Sequence, residues 1–144
     1  MKLRRSIIRD ENGATVIETA FALPVLIVFV WMMVQLAQVY RALAGIQQAL
    51  GEGARYATLC MNPDAANGCK VPSKNQVEAK MTDSVYGIGP GTFTPTSSAL
   101  TAAGTGSYYD LTVSYAQNTT LLLFPGPRIT VSRSKRVWLA GTAV

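Results

Sequence analysis

The sequence predicts an α+β protein: a long N-terminal helix, transmembrane and then amphipathic, packed on a small antiparallel sheet head with one short extra helix. Three observations predict it. Ala14 to Val34 is an apolar run whose one charge is Glu18. An apolar stripe with steps of three or four continues beyond that run to Ala57. Two segments near the C-terminus alternate apolar and polar residues with the period of a strand.

The helix begins after a basic leader, Met1 to Arg9, that ends at Asp10-Glu11-Asn12-Gly13. Residues 20–34 are apolar throughout, and with Ala14–Ile17 before them and Leu36, Ala37, Val39 and Tyr40 after them they are long enough for ~30 Å of hydrocarbon. Trp31 and Tyr40 fall in the far half, where interfacial aromatics sit. Pro24 removes one helical hydrogen bond, so a kink is expected there. Beyond the span, Leu36, Val39, Leu43, Ile46, Leu50, Ala54 and Ala57 form an amphipathic stripe expected to pack on the head. Gly45, Gly51 and Gly53 are expected to weaken this outer half by a bend or break.

Cys60 and Cys69 enclose a turn-rich stretch. In an exported domain two cysteines more readily form a disulfide, worth about 2–3 kcal/mol on the chain-entropy model, with two free thiols as the alternative. Ser73-Lys-Asn-Gln76 reads as a capping box opening a short helix with Val77, Met81 and Val85 on one face, ended by Gly87. Residues 87–107, rich in Gly, Pro, Thr and Ser, read as a loop. Tyr109, Leu111, Val113 and Tyr115 then mark a half-buried strand. Ile129, Val131, Val137 and Leu139 mark a second, with Leu121–Phe124 and Pro125-Gly-Pro127 as an apolar turning tip between them. The expected organisation is a leader at 1–13, a transmembrane helix at 14–40, its amphipathic continuation at 41–58 and an α+β head at 59–144.

Composition narrows the function. The 144 residues carry a net charge of +5, of which the first 13 contribute +2 through Lys2, Arg4, Arg5 and Arg9 against Asp10 and Glu11. The leader thus accounts for part of the pI of 9.5, and a second cluster, Arg128, Arg133, Lys135 and Arg136, reads as a solvated or membrane-proximal face; no nucleic acid is expected. Histidine is absent, which excludes histidine triads and HExxH zinc sites. Asp64, Glu78 and Asp110 are not spaced as a catalytic pair, so no enzyme activity, metal or cofactor is expected. The leader's charges precede the span, placing the N-terminus in the cytoplasm and the head outside it. An Ala42-Leu43-Ala44 signal-peptidase site fits poorly, because it follows too long an apolar run and lies within the helical stripe. Glu18 stands out, since an ionisable group at membrane depth is costly and by default functional; a carboxylate snorkelling at the headgroups is the alternative.

Gly13-Ala-Thr-Val-Ile-Glu18-Thr-Ala-Phe-Ala-Leu-Pro24 after a basic leader resembles the processing motif of type IVb prepilins of the Flp/Tad class. With Leu23-Pro24 inside the span and Glu52-Gly-Ala-Arg-Tyr-Ala57 beyond it, residues 9–57 are more narrowly similar to TadE-like pseudopilins of tight-adherence pilus systems. The resemblance implies a bacterial inner-membrane protein, single-pass and possible to incorporate in a pilus, whose partners are lipid, other pilins or pseudopilins, the assembly platform and a prepilin peptidase. It implies cutting between Gly13 and Ala14, with Glu18 as fifth residue of the mature chain. An aromatic commonly follows that glutamate; here Thr19 does, with Phe21 two further on. Removing four of thirteen basic and two of eight acidic residues would leave nine against six, a net +3. The freed Ala14 amine would lie at a helix N-terminus, where positive charge is disfavoured, and Glu18 one turn along could neutralise it or that of a neighbouring chain. The expected role is a minor pilin or pseudopilin assisting pilus assembly, initiation or capping. A membrane-anchored binding module outside any filament is the competing role.

Overall fold

A computed structural model describes residues 11–64, 68–85, 88–104, 106–121 and 124–139. The leader up to residue 10 and Gly87 lie outside the described residues. Helix α1 (Glu11–Ala57) is followed by a β1–β2 ribbon (Asn62–Asp64, Gly68–Lys70), helix α2 (Lys74–Ser84), and strands β3 (Thr92–Ser97), β4 (Thr101–Ala103), β5 (Gly106–Leu121) and β6 (Phe124–Leu139). The fold is α+β as predicted: a long apolar helix, a small antiparallel sheet and one further short helix.

α1 spans 47 residues without interruption, about 70 Å at 1.5 Å per residue, and runs through Pro24 as well as Gly45, Gly51 and Gly53. The expected break in its outer half does not occur, because two of those glycines are points of close approach. A Cβ on Gly53 would meet Met81 Cγ at 2.5 Å, and one on Gly45 would meet Ile88 Cδ1 at 3.1 Å. Gly51 faces open space, and nothing in the structure explains it. The stripe read in sequence is largely the buried one: Val39, Ile46, Leu50 and Ala57 are buried, Leu43 and Ala54 are half-buried, and Leu36 at the membrane end is exposed. Ala42 and Ala49, off that stripe, are buried as well and widen it. Small side chains let helix and sheet approach, and Ile46 and Leu50 fill the space between.

The sheet is three strands wide. β5 forms the middle, β6 pairs along its whole length on one side, and β3 and β4 lie end to end on the other. Tyr109, Leu111, Val113 and Tyr115 of β5 are all buried against α1 and α2, the face the alternation predicted. α2 starts at the predicted capping box, where Ser73 N–H donates to Gln76 Oε1 at 2.9 Å. Val77, Met81 and Val85 are buried as predicted, although the helix itself ends at Ser84. Glu78 Oε1 accepts from Ser97 N–H at 2.7 Å and so ties α2 to β3. Tyr109 Oη donates to the Pro72 carbonyl at 3.0 Å, tying β5 to the lead into α2, and burial raises its phenol pKa.

Two local expectations are corrected. Residues 87–107 are not all loop: β3 and β4 lie there, paired to β5 from Thr92↔Ala116 to Ser97↔Leu111 and from Thr101↔Tyr108 to Ala103↔Gly106. Pro125-Gly-Pro127 is not the turn either, since these residues belong to β6 and Thr120 pairs with Pro125 after a register shift. A proline cannot donate to a ladder, which is tolerated here because β6 is an edge strand. Its prolines and its basic side chains protect that edge from pairing with another chain.

Candidate functional site at the N-terminal half of the long helix

From Val16 to Val34 the large apolar side chains of α1 other than the half-buried Val28 are exposed, Phe21 at 74% and Val25 at 69% among them. The most apolar window of the helix has a mean hydropathy of 2.3 and none of it is buried within the chain. Each large apolar side chain left in water forfeits about 1.5–3 kcal/mol of burial, so a dozen together demand a non-aqueous surrounding. A core helix of a water-soluble protein would have this stretch covered. Here it is uncovered and long enough to cross a bilayer, which makes this half of α1 a membrane anchor.

Gly13, Ala14 and Glu18 all lie on this anchor, within its first two turns, and are exposed. Gly13 would meet nothing within 4 Å if it carried a Cβ, so its helix-weakening cost has no packing reason of the Gly53 kind. Among the described residues Glu18 has no cationic partner. Thr19 turns its hydroxyl to the Thr15 carbonyl at 2.8 Å and leaves the carboxylate alone. Counted at 3.6 residues per turn, Glu18 lies about 140° round the axis from Trp31, about 100° from Gln35 and about 160° from Gln38. Those three residues face the head, so Glu18 points away from it.

The head makes its deepest contact with α1 at Trp31, Gln35 and Gln38, a constellation that sequence reasoning missed. Trp31 Nε1 donates to the Thr120 carbonyl at 2.9 Å. Gln35 straddles the Thr120 backbone: its Nε2 donates to the carbonyl and its Oε1 accepts from the N–H at 3.2 Å. One turn further out, Gln38 Oε1 accepts from Gln117 Nε2 at 3.2 Å, and Gln117 Oε1 accepts from Tyr115 Oη at 2.7 Å. Gln117 is 5% exposed, so this polar chain is satisfied in a dry setting. The available signal was Gln117 itself, an amide on the inward parity of β5. Helix and strand keep pace along this seam. Gln35 to Gly53 advances about 27 Å on the helix, and Thr120 back to Leu111 about 30 Å on the strand.

The remaining predicted residues lie elsewhere. Cys60 and Cys69 form a disulfide beyond the far end of α1, with Cα atoms 5.3 Å apart. It closes the β1–β2 ribbon and is not brought near Glu18. Of the head carboxylates, Glu78 also faces Lys74 at 3.8 Å, and Asp110 accepts two hydrogen bonds from Arg136 at 2.8 and 3.0 Å. Arg136 stacks over Tyr108, which packs on Trp138, all on the sheet face turned from α1. Among the described residues no cluster of His, Cys, Asp or Glu could hold a metal ion.

The hydrogen bonds from Arg136 hold the Asp110 carboxyl below the usual carboxylate range. Folding lowers this pKa, so the pair's contribution is complete above the unfolded carboxyl value and is lost as pH falls through the folded one. Carboxyl-carbon NMR is expected to show Asp110 titrating below an ordinary aspartate, and Arg136→Ala is expected to return it upward.

Fold and site together define a class: a small α+β head carried on one long helix whose N-terminal half is a membrane anchor bearing a lone carboxylate. Residues 13–55, the segment that carries the anchor, match the family model described as TadE-like protein. No curated protein and no solved structure shows significant similarity to the chain.

Proposed function

We propose that this chain is a minor pilin or pseudopilin of a tight-adherence type IVb pilus system, assisting assembly, initiation or capping after cleavage between Gly13 and Ala14. The observation that carries this reading is Glu18, exposed and unpartnered among the described residues on the side of α1 turned from the head. A charge in that position is costly for a plain anchor. In an assembly it pairs with the amine of a neighbouring subunit, or with the chain's own Ala14 amine, and favours docking in register. The TadE-like match over residues 13–55 supports the same reading. The leader's four basic residues keep the N-terminus on the cytoplasmic side, where a membrane aspartyl peptidase of the prepilin class reaches the junction.

The test is the N-terminus of the membrane-extracted protein after co-expression with a prepilin peptidase, read by intact mass and terminal sequencing. A chain starting at Ala14 is expected. A chain still starting at Met1 or Lys2 overturns the processing step and favours an anchored binding module that enters no filament.

A further inference from the structure

The hairpin formed by β5 and β6 ends beside the anchor rather than out in solvent. Measured from Ala14, Trp31 lies about 26 Å and Gln35 about 32 Å along the helix axis, which brackets the far edge of ~30 Å of hydrocarbon. Thr120 is hydrogen-bonded to both residues, so this end of β5 sits at that edge. Beyond Thr120 the strands still pair, Leu121 with Phe124, which carries the hairpin further toward the anchor. Phe124 is 69% exposed there. Between hairpin and helix lies an apolar recess of about 350 Å³, lined by Phe29, Met32, Met33 and Leu36 on one side and Pro127 and Ile129 on the other. Going away from the tip along β6, the first charge is Arg128. Four residues of strand put it about 13 Å from Phe124, the spacing from acyl chains to phosphates.

We propose that the end of the β5–β6 hairpin at Phe124 is a second membrane contact on the head's side of the bilayer, so that Phe124 and the inner part of the recess, at Phe29, Met32 and Met33, are covered by acyl chains while Arg128 meets lipid phosphates. Apolar residues deep, a cation above them and a tryptophan at the same level are the arrangement of interfacial anchors. The head is thereby held against the bilayer by two points. The inference rests on the reading of α1 as the membrane anchor and is independent of whether the chain enters a pilus.

Photo-cross-linking tests it on the full chain reconstituted in phosphatidylcholine–phosphatidylglycerol vesicles, with p-benzoylphenylalanine placed in turn at Phe29, Phe124 and Thr96. Lipid adducts are expected at Phe29 and Phe124 in similar yield, and none above background at Thr96 on the far part of the sheet. Lipid adducts at Phe29 with none at Phe124 overturn the tip contact and leave the anchor standing. Chain-to-chain adducts at Phe124 overturn it in favour of a second copy as the occupant. Absence of lipid adducts at Phe29 overturns the anchor and the tip contact together. A position-124 probe leaves the core untouched, and a circular dichroism spectrum matching the unsubstituted chain verifies that.

Discussion

Glu18→Ala is expected to leave the protein inserted in the membrane and to abolish its capture by partner pilins. Removing a charge from an apolar span makes insertion easier, so loss of the protein from the membrane is not the expected outcome. What is lost is the counter-charge to an amine at a helix N-terminus, in surroundings where water cannot replace it. Truncating one member of a desolvated pair costs about 3–5 kcal/mol, because the other charge is left unpaired. At about 1.4 kcal/mol per tenfold, each docking event weakens by roughly two to three and a half orders of magnitude. Glu18→Gln keeps size and helix propensity but not charge, and is expected to fail nearly as badly. Co-purification with partner pilins and the yield of surface pili are the measurements. Unchanged capture and piliation in both variants would remove Glu18 from any pairing role, whatever the N-terminus of the mature chain proves to be.

The largest expected loss of stability is at Tyr115. Its side chain is fully buried, its ring packs on Phe93 at 4.7 Å, and its hydroxyl both accepts from Gly91 N–H at 3.1 Å and donates to Gln117. Tyr115→Ala removes a large aromatic from a close-packed site and is expected to cost about 3–5 kcal/mol. Tyr115→Phe keeps the ring but strands the Gly91 N–H and one end of the Gln117–Gln38 chain, at an expected cost of about 1–3 kcal/mol. Denaturant unfolding of the full chain in detergent, followed by near-ultraviolet circular dichroism of the head, separates the two. Equal losses in both variants would mean that the polar chain, not the ring, carries the site.

The elements that could be read from sequence were those whose signal is local. The capping box from Ser73 to Gln76 needs one turn of chain, and the alternation from Tyr109 to Tyr115 needs seven residues. β3 was missed because Thr92–Ser97 holds one large apolar side chain and becomes a strand through pairing with β5 beyond β4; β4 was missed because Thr101–Ala103 is too short to show an alternation, although its partners in β5 follow directly. The glycines of α1 were read as weaknesses because propensity is an intrinsic quantity, whereas Gly53 is placed by Met81 on another helix. Pro125-Gly-Pro127 carries a turn composition, yet an edge strand accommodates it. As for the site, Glu18 stands out in the sequence as the charge that breaks an apolar run, and Gly13 through the resemblance of residues 13–24 to a processing motif. Trp31, Gln35 and Gln38 do not, since their role is defined by a hairpin tip some 85 residues later.

The unbroken course of α1 has a mechanical consequence. Between Gln35 and Ala57, beyond Pro24, the helix has no interruption, and such a segment transmits thrust: a displacement along its axis at the membrane surface arrives at the sheet without the slack that a hinge there would absorb. The weak mode of such a rod is sideways bending where it leaves the bilayer, and there the bonds from Trp31 and Gln35 to Thr120 tie it to the hairpin. The hairpin acts as a gusset across that corner, stiffening the root of the lever where bending moment is greatest.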